Sequence, residues 1–193
     1  PSQLPSSQGI ESQSGSTNLE TVPSTADIKR LEGPILVLGA SGFVGANLFH
    51  SLLQNRPDVH GTASRLPAWR LDGVPQNHVH VLDLLVDSNL KGLLDQVQPR
   101  TVFNCVAFGA YSFETQGQLI YQTNFSFTTR LLEELRARSI SAYVHAGTSS
   151  EYGDNSAGPG EESHLLPNSH YAVSKAAASQ LVSYYGRHLK FPC

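Results

Sequence analysis

Pro34-Ile35-Leu36-Val37-Leu38-Gly39-Ala40-Ser41-Gly42-Phe43-Val44-Gly45 decides how this chain folds. The first five residues carry no charge and suit a strand buried on both faces. Three evenly spaced glycines follow. From Phe43 to Asn55 the apolar residues recur at a helical period, with Val44, Leu48 and Leu52 on one side. Strand, glycine turn and helix in this order form the cradle in which a backbone wraps a dinucleotide pyrophosphate. Gly39 is expected to make the tight turn, Gly42 to admit the pyrophosphate, and Gly45 to let the helix pack close to the sheet. The N–H groups of the first helical turn, with Ser41, Phe43 and Val44 around them, are expected to face the cofactor.

Downstream, short apolar runs alternate with helical segments. Residues 59–63, 78–82, 101–107 and 141–146 read as strands. Residues 87–97, Leu119–Arg138 and Tyr171–His188 read as helices, and 153–167 as a loop. This alternation predicts an α/β fold, a doubly wound parallel sheet of the Rossmann type, with ligands at the carboxyl ends of its strands. His78 and His80 fall on one strand face; with no third ligand at a useful spacing they are expected to face solvent, and no metal is expected.

Residues 1–30 differ from the rest. They are rich in Ser, Gln, Thr and Pro and are expected to form a disordered polar tail ahead of a dinucleotide-binding domain over 33–193. The chain contains no methionine, so its first residue is not expected to be a translation start. The whole chain is 39% hydrophobic and 15% charged with a net charge of −3. That suits one domain with a real core and gives no pull toward nucleic acid or a membrane surface, so neither is expected as a partner. Two cysteines build no disulfide framework, which fits a reducing, cytoplasmic setting. Asn124-Phe125-Ser126 matches a glycosylation pattern inside a helical stretch and is read as chance.

The second motif is Tyr171-Ala172-Val173-Ser174-Lys175, which puts a phenol and an ammonium one helical turn apart. A free tyrosine titrates near 10 and is a poor base at neutral pH. A neighbouring ammonium would lower that value and let the phenol exchange a proton with a sugar hydroxyl.

With the glycine turn upstream, the chain from Gly33 onward resembles the extended short-chain dehydrogenase/reductases, the NAD-dependent epimerase/dehydratase type, which mostly rework nucleotide-linked sugars. The resemblance implies a catalytic set of Thr148, Tyr171 and Lys175, Thr148 standing four residues before the Tyr of Tyr152-Gly153. It implies that Lys175 also binds the nicotinamide ribose, that Asp83 and Leu84 lie near the adenine, and that Ala107 lines the cofactor. It implies a nucleotide-sugar substrate and a homodimer joined through a bundle of the helices Leu119–Arg138 and Tyr171–His188.

Two departures shape the functional reading. Val106-Ala107 is bulkier than the family's small pair. The dehydratases of the family carry a Glu two residues after the Thr, whereas here that place holds Ser150 and Glu151 comes one later. This favours an NAD(P)-dependent epimerase or ketoreductase over a 4,6-dehydratase. Thr62-Ala63-Ser64-Arg65 has no acid for the ribose hydroxyls; Ser64 and Arg65 could bind a 2′-phosphate, so NADP is favoured over NAD. Cys193 follows the second motif closely, and the family's sugar site is built largely from later residues. A cofactor-binding portion without its own turnover is therefore the alternative to an enzyme.

Overall fold

The computed structural model describes residues 25–111, 113–155 and 157–193. Five strands form one sheet: β1 (Ile35–Leu38), β2 (Val59–Ala63), β3 (Val79–Val81), β4 (Thr101–Asn104) and β5 (Ala142–His145). Their spatial order is β3-β2-β1-β4-β5 and every pairing is parallel. The doubly wound fold read from the sequence is the fold observed. Because β1 lies between β2 and β4, the chain leaves it toward one edge and later returns to the other. A crevice opens at the carboxyl end of β1, where the winding reverses.

All four residues of β1 are fully buried, and their alternation builds two layers. Ile35 and Val37 face α2 (Phe43–Leu53), where they pack with Phe49, Leu52, Val59 and Ala63. Leu36 and Leu38 face the other side and meet Leu90, Leu94, Leu131, Leu132 and Leu135. That side is covered by α3 (Asp87–Val97), by the helical run α4 (Gly117–Tyr121), Gln122–Ser126 and α5 (Phe127–Arg136), and by α6 (His170–Leu189). Burying both faces is what a parallel sheet requires, and it explains the unbroken apolar run of β1.

Several expectations are corrected. Strand β4 stops at Asn104, three residues short of Ala107, because the Asn104 side chain accepts from Val106 N at 3.2 Å and bends the chain out of the ladder. The helix expected over Leu119–Arg138 begins at Gly117, ends at Arg136, and carries a π-helical turn over Gln122–Ser126. The polar tail ends earlier than expected: Thr25–Arg30 forms a short helix, α1. Ile28 and Leu31 pack on the α2 layer, and Arg56 donates to the carbonyls of both while pairing with Asp58 at 2.7 Å. The rest of that tail lies outside the described residues.

His78 and His80 are half-buried, not solvent-facing. His80 Nε2 lies 3.1 Å from His60 Nδ1, and His78 Nδ1 donates to Val59 O at 2.8 Å. Among the described residues no group of three or more potential ligands could hold a metal, and no helix is long and apolar enough to cross a membrane. The last residues lie on the outer edge of β5, where Tyr143 N donates to Pro192 O at 2.7 Å.

Leu131 has no exposed surface and sits where α5 meets the sheet. Leu131→Ala should cost about 2–5 kcal/mol, the range for a buried leucine replaced without full collapse of the cavity. Urea denaturation would measure it, and a loss well under 1 kcal/mol would show that this layer repacks freely.

Candidate functional site

The crevice at the end of β1 is built by backbone. Gly39 has φ +78°, a conformation that side-chain-bearing residues rarely adopt, and its N–H donates to Thr62 Oγ1 at 2.9 Å. A Cβ on Gly45 would lie 2.2 Å from the Gly39 carbonyl oxygen. The third glycine therefore lets the first helical turn close onto the glycine loop itself, rather than onto the sheet as expected. No side chain caps α2. The helix thus presents uncapped N–H donors and its positive dipole end to the crevice, an arrangement suited to a pyrophosphate.

The crevice is lined by Gly39, Ser41, Gly42, Thr62, Ser64, Asp83, Leu84, Cys105, Val106 and Ala107, with Phe108, Leu119 and Thr123 at its far wall. Most of the expected cofactor residues are therefore brought together. Phe43, Val44, Gly45, Arg65 and Lys175 are not among the lining residues. The side chains of Phe43 and Val44 point to solvent, 73% and 60% exposed, so only their backbone is placed to serve a phosphate. Arg65 is exposed beside the crevice. The residues present fit a dinucleotide: a loop held open by glycine and an uncapped helix end, with Asp83 and Leu84 on the crevice wall.

The second half of the site lies between β5 and α6. Thr148 caps the 3-10 turn Ser149–Tyr152. Its hydroxyl accepts from Ser150 N at 3.2 Å, and Glu151 Oε1 accepts from Thr148 N at 2.9 Å. Ser169 caps α6 by accepting from Ala172 N at 3.1 Å. These two caps set the backbone positions of Thr148 and Tyr171, and the Thr148 hydroxyl is close enough to influence the Tyr171 phenol. Burial raises the Tyr171 pKa; Thr148 opposes the rise, while Glu151 and Glu114 add to it.

Lys175 departs from expectation. It is only 2% exposed, and its Nζ donates to Ala146 O at 2.6 Å and lies 3.3 Å from His145 Nε2. The ammonium is tied to β5 and does not act on Tyr171, so the expected lowering of the phenol pKa by Lys175 is not observed. The pKa of Lys175 is itself lowered by burial, against the opposing effect of Glu151 and Cys105. Since Cys105 also lines the crevice, Lys175 stands at the boundary between the two halves.

A separate cavity opens on Tyr171, lined by Gly109, Tyr111, Glu114, Ile120, Ser150, Ser169 and His170 among others. Ser150 faces it, whereas Glu151 is turned inward, 7% exposed.

Sequence reasoning missed several supporting groups. Asn124, in the π turn, is 1% exposed; it accepts from Phe108 N at 2.9 Å and donates to Phe108 O at 2.8 Å and Ser174 Oγ at 2.9 Å. It clamps the loop after β4 to α6, and its burial leaves it out of reach of glycosylation. The available signal was an amide on the inward stripe of a helix, one turn before Thr128. Glu114 Oε2 accepts from the N–H groups of Gly109 and Tyr111 and so shapes the wall opposite Tyr171. Thr62, which fixes Gly39, carried no signal beyond its place in a buried strand.

Comparison with known proteins agrees with this geometry. The profile of the NAD dependent epimerase/dehydratase family matches residues 35–193. GDP-mannose 4,6 dehydratase 1 of Arabidopsis thaliana is 32% identical over 174 residues, which cover 79% of this chain and 47% of the relative. UDP-glucose 4-epimerase of Erwinia amylovora is 27% identical over 163 residues, covering 79% and 48%. Among solved structures, UDP-glucuronic acid 4-epimerase from Bacillus cereus in complex with NAD superposes with a TM-score of 0.66 at 25% identity, covering 82% of this chain and 54% of that one. The chain spans about half the length of the curated relatives it matches.

Two outcomes follow from the geometry. Gly45→Ala should weaken binding of NAD(H) or NADP(H) at least about tenfold, because a methyl group cannot share space with the Gly39 carbonyl. Gly92→Ala, in open space on α3, should bind normally; fluorescence titration of both variants checks this, and equal affinities would show that the turn is not a cradle. The second concerns acid. Burial, aided by Lys175, pushes the His145 pKa down to about 3. The unfolded histidine binds its proton near 6.5, so stability is full above that pH and falls as pH drops toward 3. Urea midpoints should fall less steeply over that window in His145→Gln than in the parent; identical slopes would show that His145 does not contribute.

Proposed function

The chain belongs to the NAD dependent epimerase/dehydratase family, and from that premise we propose that the whole protein is an NAD(P)-dependent nucleotide-sugar epimerase or ketoreductase. The observation that supports this reading is a cavity that opens on Tyr171 next to the glycine-lined crevice, with Lys175 buried one helical turn on from the phenol. A bound nicotinamide would supply the hydride chemistry. The chain's own residues would handle the proton and the orientation of the sugar.

Tyr171 is the proton carrier in this reading. Its raised pKa keeps the phenol protonated at neutral pH, which suits donation to a ketone oxygen. The reverse step, taking a hydroxyl proton, needs positive charge beside the phenol. Thr148 would share the same substrate oxygen through its hydroxyl and hold it in line. Lys175, already fixed by β5, would offer its remaining N–H to the cofactor ribose. Glu114 would shape the cavity wall, and Asn124 would hold the loop after β4 against α6.

A 4,6-dehydratase is the second reading, supported by the likeness to GDP-mannose 4,6 dehydratase 1. Elimination of water from a sugar requires an acid/base group at the carbons that lose it. Glu151 is engaged by Thr148 N and turned from the cavity, and Ser150 takes its place, which supports epimerase or reductase over dehydratase. The absence of an acid after β2 favours NADP(H), with Ser64 on the crevice wall and Arg65 next to it. The helices on the α5/α6 side are the proposed faces of a homodimer.

In the whole protein, Tyr171→Phe should lower turnover about 10²–10⁴-fold, the usual contribution of general acid–base catalysis, and leave cofactor affinity near normal. Lys175→Ala should harm both, and Thr148→Val should slow turnover less than Tyr171→Phe. Steady-state kinetics on a panel of nucleotide-sugars, with product analysis by NMR, reads these effects. Near-normal turnover by Tyr171→Phe would remove the assignment, and a 4-keto-6-deoxy product would replace it with the dehydratase.

A further inference from the structure

A polar chain runs beneath the site in the plane between β4, β5 and α6. Asn104 Nδ2 donates to Tyr143 OH at 3.1 Å, Tyr143 OH lies 3.2 Å from His145 Nδ1, and His145 Nε2 lies 3.3 Å from Lys175 Nζ. Asn104 and Tyr143 are 1% and 2% exposed. Tyr143 and His145 are two apart on β5 and so share the face that α6 covers. None of these three groups has a part in the chemistry described above. Two polar side chains buried this deeply, and joined through the half-buried His145 to an ammonium, call for an explanation.

Lys175 is a donor of three protons with no acceptor capacity. One proton goes to Ala146 O. For a second to reach His145, Nε2 must be the bare nitrogen, which places the ring proton on Nδ1, donating to Tyr143 OH. Asn104 Nδ2 donates to the same oxygen at 3.1 Å; it lies farther, 3.4 Å, from His145 Nδ1, so the Tyr143 oxygen is its acceptor. The short path therefore has a fixed polarity: from both ends, hydrogen bonds point inward to Tyr143. It ends in the core at Asn104, whose carbonyl oxygen is occupied by Val106 N. Such a chain cannot pass a proton out to solvent; it can only hold the lysine.

We propose that His145, locked by Tyr143 as the neutral Nδ1–H tautomer, is a positioning residue that fixes two of the three Lys175 donors on β5 and leaves one to face the cofactor. This inference rests on the cofactor-binding reading of the crevice. The groups that face the pair from the surrounding elements are Cys105 after β4, Glu151 and Thr148 in the turn after β5, Tyr143 within β5, and Tyr171 on α6. Glu151 is the only carboxylate among them, and its Oε1 is already engaged by Thr148 N. It favours the lysine charge without being the group that sets its position. Desolvation keeps His145 neutral, in agreement with its role as an acceptor.

The test begins with the protein free of ligand. Selective ¹⁵N labelling of histidine should show the His145 ring as a neutral Nδ1–H tautomer between pH 6 and 8, and Tyr143→Phe should release it to a mixture. A neutral Nε2–H ring or an imidazolium in that range overturns the proposal, whatever the function of the crevice. Cofactor titration then compares variants. His145→Phe, close in volume and without an acceptor, should weaken NAD(P)H binding about tenfold, as expected for loss of a hydrogen bond to a charged group. His145→Gln, which restores an oxygen acceptor, should recover most of that loss. If Lys175→Ala weakens binding and folded His145→Phe does not, the positioning role is wrong and the reading of the crevice stands. If neither variant affects binding, the reading of the crevice fails and takes this inference with it.

Discussion

A lysine ammonium removed from water must find its acceptors inside the protein, and this requirement organises the active half of the molecule. Lys175 is 2% exposed, and an unpaired charge at that depth would cost several kcal/mol. It is met by a backbone carbonyl at Ala146 and by the ring of His145, at and just beyond the end of the last strand of the sheet. To bring them within reach, α6 passes the carboxyl end of β5 and packs on α4, the π turn and the turn after β5. Ala172, Ser174 and Ala178 are fully buried on this helix, and Ser174 meets Asn124 of the π turn. The turn after β5 packs against α6, which brings the Thr148 segment to the side of the helix that carries Tyr171 and Lys175. Removing the lysine charge would leave that contact without its anchor.

The other half of the site depends on a different constraint, the reversal of winding at β1. Because the strand to one side of β1 is β2 and to the other is β4, the loops after all three strands diverge and leave a crevice. Glycine at positions 39 and 45 lets the turn after β1 collapse onto the start of α2, so the crevice floor is backbone. The two constraints meet at residues 104–108. There β4 is ended by the Asn104 side chain, Cys105 passes between crevice and lysine, and Asn124 ties Phe108 to α6. The site is therefore a joint between two layers, and one interrupted strand supplies it.

Much of this was legible in the sequence, for identifiable reasons. The strand β1 and the glycine turn carry local signals, an apolar run and a glycine spacing, that no tertiary contact overrides. Tyr171 and Lys175 lie on one helix, so their separation along the chain fixes their separation in space. What could not be read depends on contacts between distant segments. The end of β4 is set by the Asn104 carbonyl oxygen, which competes with the ladder. The π turn at Gln122–Ser126 interrupts an otherwise ordinary helical period so that Asn124 reaches both Phe108 and Ser174. Phe43 and Val44 look like cofactor contacts because they sit between glycines, yet the helix turns their side chains outward. Tyr143 and His145 were readable in part, since period two puts them on one face of a strand. That the face is the one carrying Lys175 follows only from the packing of α6.

The central claim is that a hydride passes between a nucleotide-sugar and the nicotinamide while Tyr171 moves the proton. The most direct measurement uses the whole protein and nucleotide-sugars deuterated at individual ring carbons, with mass spectrometry of both cofactor and sugar during turnover. The account predicts that deuterium from one ring carbon appears on the cofactor, and that exchange of this hydrogen with solvent is negligible. Turnover that releases the ring hydrogen to water, with no label reaching the cofactor, would contradict it.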